Sequence, residues 1–198
     1  MLASPSQCYR DSFLEGAAEF AREGRLDSTY SVALGYTVAS LQQRFADFVR
    51  DLRALADPDR VRPGWYVDQV LWLIHQGEYT GQASVRPELC TDYLRTYGGH
   101  VGYSIRPARR RCGHGTRLLR LVLQTCRQLG LARILVTCDS DNIGSRRVIE
   151  RNGGAFESAL PMTARAFRAE GRRPVAGVTK LRYWIDLSLP ASDPLPTP

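Results

Sequence analysis

The run Arg109-Arg110-Arg111-Cys112-Gly113-His114-Gly115-Thr116 sets two glycines one residue apart beside three arginines and a histidine. Glycine admits left-handed backbone and lets a main chain come close to a ligand. A helix beginning at this point exposes N–H groups with no intrahelical partner and the positive end of its dipole. Together these features bind phosphate. One helix-end interaction contributes only about 0.3–1 kcal/mol at a surface, so gripping a diphosphate takes several amides acting together. Taken alone, the glycine pair is equally compatible with a plain glycine-rich helix entry. Other residues with chemical potential have a plainer reading beside the functional one. Trp65, Trp72 and Tyr79 could face a substrate, but aromatic residues are enriched in strands, and sheet packing is favoured for them. Glu78 could serve as a base or be a solvated turn carboxylate, and its turn position favours the second.

The glycine run needs a strand before it and a helix after it. His100-Val101-Gly102-Tyr103-Ser104-Ile105 reads as a compact strand, stopped at Arg106-Pro107. The helix that follows buries Leu118, Leu119, Val122, Cys126 and Leu129 and stops at Gly130. Ile134-Leu135-Val136 is then an apolar strand, and a crossover of this kind makes the two strands parallel neighbours. Asp139 to Asn142 offer helix caps for a short helix through Ile149 that ends before Gly153-Gly154. Phe156 to Ala159 forms another strand.

Upstream, Asp11 to Glu23 and Val38 to Leu55 show helical spacing, the second through Leu41, Phe45, Phe48 and Leu52. Val70 to His75, a turn at Gln76-Gly77-Glu78, and Thr80 to Arg86 predict a hairpin. Pro87 to Gly99 has no clear period and reads as a specificity loop. Downstream, Pro161 to Pro174 is basic and irregular, either a loop over a substrate site or a solvated connection, with the connection favoured. Val178 to Leu187 alternates as a strand should. The expected organisation is one domain over 1–189 and a disordered proline-rich tail over 190–198.

Composition narrows the class. The chain has 198 residues, 43% of them hydrophobic and 24% charged, which is ordinary for a globular protein. No stretch approaches a membrane span and no signal peptide is apparent, so the expected location is the cytoplasm and no membrane partner is expected. Five cysteines without a C-x-x-C pair, and histidines at 75, 100 and 114, support neither a disulfide framework nor a metal site. A net charge of +7 suits an anionic partner. The arginines are scattered and accompany no nucleic-acid motif, so nucleic acid is not expected as that partner.

The run from Gly102 to Gly154 resembles the acetyl-coenzyme A binding core of the GNAT N-acetyltransferase superfamily. Its signature, [Q/R]-x-x-G-x-[G/A], is satisfied by Arg110-Arg111-Cys112-Gly113-His114-Gly115, and Asn142-x-x-Ser145 stands where the family places N-x-x-[A/S]. Ser12 to Gly16, Gly98-Gly99-His100 and Arg182 to Ile185 are similar to one bacterial branch of predicted acetyltransferases. The resemblance implies an α/β fold: a mixed, mostly antiparallel central sheet flanked by helices, with a splayed parallel strand pair at the cofactor site.

It further implies that acetyl-coenzyme A is the acetyl donor, with no metal. The amides of Arg110, Arg111, Cys112, Gly113, His114, Gly115 and Thr116 would bind the pyrophosphate. The strand ending at Ile105 would pair with the pantetheine arm, which Asn142 would reach with Ser145 nearby. Arg106, Arg109 and Arg111 could approach phosphates, though arginines are mostly solvated. The acceptor would be a primary amine of a small molecule or peptide, attacking directly; a homodimer is left open.

An alkyl amine with a pKa near about 10.4 must lose a proton before it attacks, and the thioester oxygen gains charge that an N–H near Ile105 could stabilise. The family's usual tyrosine, seven positions after the Asn, is Ile149 here. One usual glutamate position, five before the Asn, is Thr137, and another falls at Gly99 and His100. His100 is therefore the candidate base, its alternative being a hydrogen-bonded strand histidine. Tyr103 could line the acetyl pocket or simply pack, and Cys112 and Cys138 are read as structural rather than nucleophilic. These departures keep a second function open, a catalytically weak acyl-coenzyme A sensor or scaffold.

Overall fold

The computed structural model describes residues 1–61, 64–170 and 173–188. The 190–198 tail, Arg62-Pro63 and Arg172 lie outside the described residues. The apolar runs form one seven-stranded sheet in the order β1-β2-β3-β4-β5-β7-β6. The strands are β1 (Leu2–Ala3), β2 (Gln69–His75), β3 (Glu78–Val85), β4 (Val101–Ile105), β5 (Arg133–Asp139), β6 (Ala155–Pro161) and β7 (Thr179–Asp186). Neighbours pair antiparallel except β4 and β5, which run parallel. The architecture is thus the mixed, mostly antiparallel one expected.

Helices cover both faces. On one, α1 (Arg10–Arg22), α2 (Val38–Gln43) and α3 (Phe45–Ala54) pack on Val70, Trp72, Ile74 and Tyr79. On the other, α4 (His114–Gln128) and α5 (Ile143–Glu150) cover Leu73, Val85, Val101 and Val136. Trp72 and Tyr79 are fully buried, with Phe13 stacked on Trp72 at 4.7 Å, so they are core rather than a substrate wall. Trp65 is partly exposed.

Several expected boundaries move. The single helix over 38–55 breaks at Arg44, whose backbone leaves the helical region while its N–H still bonds the Ser40 carbonyl. The break lets Leu41, Phe45, Phe48 and Leu52 all reach the core. Glu78 starts β3, paired opposite His75, rather than sitting in the turn. The aperiodic stretch before β4 contains a π-helical turn, Leu94–Gly98, and the irregular basic stretch holds α6 (Ala164–Ala169). Both are too short for a window of hydrophobic periodicity to detect. Among the described residues no helix is long and apolar enough to cross a membrane, and no three His, Cys, Asp or Glu side chains group as metal ligands.

Candidate active site

The junction of β4 and α4 is built around a left-handed turn. Arg111 and Gly113 have φ of 65° and 76°, and Gly113 is the N-cap of α4. A Cβ added at Gly113 would meet nothing within 4 Å, so glycine here relieves backbone strain and leaves the approach open. Gly115 has a different role: its missing Cβ lets Val148 of α5 pack at 3.0 Å from that position. The first-turn amides of His114, Gly115 and Thr116 have no carbonyl within the helix to bond. Arg111, Cys112 and Gly113 are exposed beside them.

The neighbouring arginines are held from below by α1. Glu15, Glu19 and Glu23 are spaced four apart and so share one helix face. Arg106 is buried, and its guanidinium donates to Glu19 at 2.8 Å and to Glu15 at 2.9 Å. Arg110 makes a two-pronged bond to Glu23 at 2.9 and 2.8 Å, and Glu19 also accepts the Ala108 amide at 2.9 Å. Arg109 pairs with Glu78, which accounts for that carboxylate. Of the arginines that could approach phosphates, Arg106 is thus buried on carboxylates rather than solvated, and Arg109 is a part-exposed arginine paired with Glu78.

Beyond this turn the sheet opens. β4 and β5 share a single register pair, Val101 with Val136, extended by the His100 amide bonding the Leu135 carbonyl at 2.8 Å. From Gly102 on, the edge of β4 facing β5 diverges from it, while its other edge stays paired to β3 as far as Ile105. A cavity of about 360 Å³ lies at this opening, with Tyr103, Thr137, Asn142 and Ser145 in its wall. The Tyr103 hydroxyl donates to the Ser145 carbonyl at 3.2 Å and lies 2.7 Å from the Ser145 Oγ. Burial raises the Tyr103 phenol, so it stays protonated. Asn142 caps α5 by accepting the Ser145 amide at 3.0 Å.

His100 does not line this cavity. Its Nδ1 accepts the Leu135 amide at 2.9 Å, which in the neutral ring leaves the proton on Nε2 and no free lone pair. Burial first, and Arg86 second, lower its pKa. The histidine clamps the parallel junction, and its geometry does not suit a base. Cys138 is buried, and burial pushes its thiol up to about 11, so it is no thiolate nucleophile. Ile149, at the usual tyrosine position, is fully buried core.

Other groups in the wall escaped sequence reasoning. Asp27, Asp139 and Glu170 put carboxylates on the cavity, and Lys180 stands between the last two at 2.6 and 2.7 Å. Lys180 is the chain's sole lysine, and the alternation of β7 puts it on the same side as Arg182, away from the core. Those two signals could have flagged it. Nothing in the local pattern points to Asp27 or Glu170, which lie in a 3₁₀ turn and at the end of α6.

Residues 17–155 match the family model described as an acetyltransferase (GNAT) domain. No curated protein matches the sequence. Among solved structures, one similar to this chain is the microcin C7 self-immunity acetyltransferase MccE, in complex with acetyl-CoA and AMP. It is 15% identical, with a TM-score of 0.63, covering 93% of this chain and 91% of that one. The ribosomal L7/L12 alpha-N-protein acetyltransferase RimL is 14% identical, with a TM-score of 0.61 and coverage of 93% and 88%. The putative acetyltransferase yncA from Salmonella typhimurium, with acetyl-CoA, is 18% identical, with a TM-score of 0.54 and coverage of 94% and 93%. At these identities the likeness is one of fold.

Proposed function

Because this chain belongs to the GNAT acetyltransferase family, we propose that it moves an acetyl group from acetyl-coenzyme A to a primary amine by direct attack. The observation that carries the reading is the conjunction of two features. The amides at the start of α4, which have no partner within the helix, adjoin a strand, β4, whose edge from Gly102 to Ile105 diverges from its parallel neighbour. A diphosphate suits the amides, and an amide-bearing arm suits an open strand edge, so the donor fits this architecture.

When bound, acetyl-coenzyme A supplies an activated thioester. The chain's residues do the rest. Amides from Arg111 to Thr116 hold the diphosphate, while the expected Arg110 amide is donated instead to the Pro107 carbonyl at 3.3 Å. Ile105 and its strand hold the arm, with Asn142 and Ser145 on the opposite wall. The Tyr103 and Ser145 hydroxyls form a pair 2.7 Å apart that would turn one proton toward a departing thiolate, giving up the Tyr103 bond to the Ser145 carbonyl. The cavity carboxylates of Asp27, Asp139 and Glu170 are the groups able to take the amine proton, directly or through water. The acceptor would enter at the rim of the cavity, where Asp27 is about a third exposed.

The test is an amine-panel assay reading thiol release. It compares the native protein with Gly113→Asp and Gly113→Asn, two side chains that tolerate the same left-handed backbone. The aspartate should raise the apparent KM for acetyl-coenzyme A about tenfold above that of the asparagine variant, because only it places a negative charge at the diphosphate. Equal KM values would remove Gly113 from the donor site. Absence of thiol release with every amine, despite donor binding, would favour the sensor or scaffold reading instead.

A further inference from the structure

Arg86 directly follows β3, is 8% exposed, and stands in the cavity wall. Its backbone N–H donates to the His100 carbonyl at 2.8 Å, and its Nη1 donates to the Gly99 carbonyl at 3.0 Å. One residue therefore holds two consecutive carbonyls ahead of β4. The guanidinium is itself fixed from two other segments. Its Nε donates to Asp68, just before β2, at 3.3 Å, and its Nη2 donates to the Ser84 hydroxyl of β3 at 2.8 Å. The Tyr66 ring lies on it at 5.7 Å. A lysine does not reproduce this arrangement, because an ammonium is a compact point charge without the planar fork.

The carbonyls that Arg86 holds belong to the point where β4 and β5 close on each other. The His100 amide bonds the Leu135 carbonyl, and the Leu135 amide bonds the His100 ring. One residue further on, Val101 pairs with Val136, both buried, and from Gly102 the two strands part. The opening is closed at Val101 and widens toward Ile105. A donor with its diphosphate at the start of α4 and its arm along β4 brings its thioester to the closed end. The guanidinium lies there as well: a Cβ added at Gly102 would stand 3.0 Å from the Arg86 Nη2.

From this placement we infer that Arg86 is a positioning residue: by holding the Gly99 and His100 carbonyls it keeps the inner end of the opening shut, and so restricts the donor's acyl group to a short chain. The inference rests on the reading of the chain as an acetyl-coenzyme A dependent transferase. Each methylene added to the acyl group extends it toward the Val101–Val136 pair. A close-packed junction takes in extra atoms only by moving apart. Loosening Arg86 frees the junction to move, and shortening Val101 removes atoms from it.

The experiment measures the affinities of coenzyme A, acetyl-coenzyme A and butyryl-coenzyme A for the full chain by calorimetry, with a melting curve for each variant. The native protein should bind the acetyl form at least about tenfold more tightly than the butyryl form, a discrimination within what a methylene can give. In Arg86→Lys that ratio should fall to within about threefold, because the fork is lost. Free coenzyme A, which carries no acyl group, should keep its affinity within about threefold, since its diphosphate grip is untouched. Val101→Ala, which leaves Arg86 in place, should narrow the ratio in the same direction. Ser84→Ala frees Nη2 alone and should move the ratio part of the way; it tests the same anchor if the lysine variant does not fold. If Arg86 serves stability only, the variants melt earlier and keep the native acyl ratio, and that result overturns the inference. A native protein that binds the two thioesters equally also overturns it, while the donor reading stands. Failure of the native protein to bind coenzyme A overturns the transferase reading itself.

Discussion

At the scale of single residues, the site separates groups that hold structure from groups that face chemistry. His100 belongs to the first kind. Burial keeps it neutral, so its pKa lies below the unfolded value of about 6.5. The unfolded chain then binds a proton that the folded chain refuses. Stability is complete above about pH 6.5 and declines as pH falls toward the folded-state pKa. His114 is shifted the same way, by burial first and the neighbouring His75 next, and adds the same sign. Denaturant titrations between pH 7 and 5 should show this loss, and His100→Gln should flatten part of it. The pH–rate profile of the variant should keep its shape, since a clamp is not a base. Tyr103 is of the second kind: Tyr103→Phe should lower kcat by about tenfold or more with little change in the donor KM, as expected when a hydroxyl aids the leaving group. An unchanged kcat would confine Tyr103 to packing.

At the scale of elements, α1 decides where the phosphate turn stands. Its face of Glu15, Glu19 and Glu23 grips Arg106 and Arg110 on either side of the 107–109 turn. Arg106 and Glu19 are both largely buried, so Glu19→Ala leaves a guanidinium without its main partner, and a cost of about 3 kcal/mol is expected in chemical denaturation. Glu23 and Arg110 are both well exposed to solvent, and Glu23→Ala should cost under about 1 kcal/mol. Measuring both variants in one denaturant series distinguishes a buried clamp from a surface pair. Equal losses would contradict the burial argument.

At the scale of the whole molecule, the two halves of the sheet meet at the β4–β5 junction. Gly99 makes that contact possible: its φ is 73°, and an added Cβ would lie 2.5 Å from the Leu135 carbonyl oxygen. Gly99→Ala should therefore push the strands apart at their meeting point. A lower melting temperature is expected, together with weaker donor binding, although residue 99 touches no proposed ligand. The native protein should gain about 2.7 kcal/mol of stability with coenzyme A at a hundred times its Kd, the mass-action consequence of binding only the folded state. Melting curves with and without coenzyme A check both expectations, and an alanine variant as stable as the native protein would show that the junction is not closely packed.

The linear order of residues was sufficient for the sheet's crossover unit, the left-handed turn and the caps of α5, because each depends on contacts within a few residues: Gly113 before a helix, Asn142 three before Ser145, apolar runs at 134–136. It could not show that Arg106 and Arg109 face carboxylates rather than phosphates, since their partners lie far away in the chain at Glu19, Glu15 and Glu78. Nor could it assign His100, whose lone pair is claimed by an amide 35 positions on. The cavity wall was least legible of all. Asp27, Tyr93, Glu170 and Lys180 come from four separate segments, and they meet on one cavity only when those segments fold against one another. Local spacing determines where a helix can begin; which side chains remain available for chemistry is decided by long-range pairing, because every buried polar group must first find a partner.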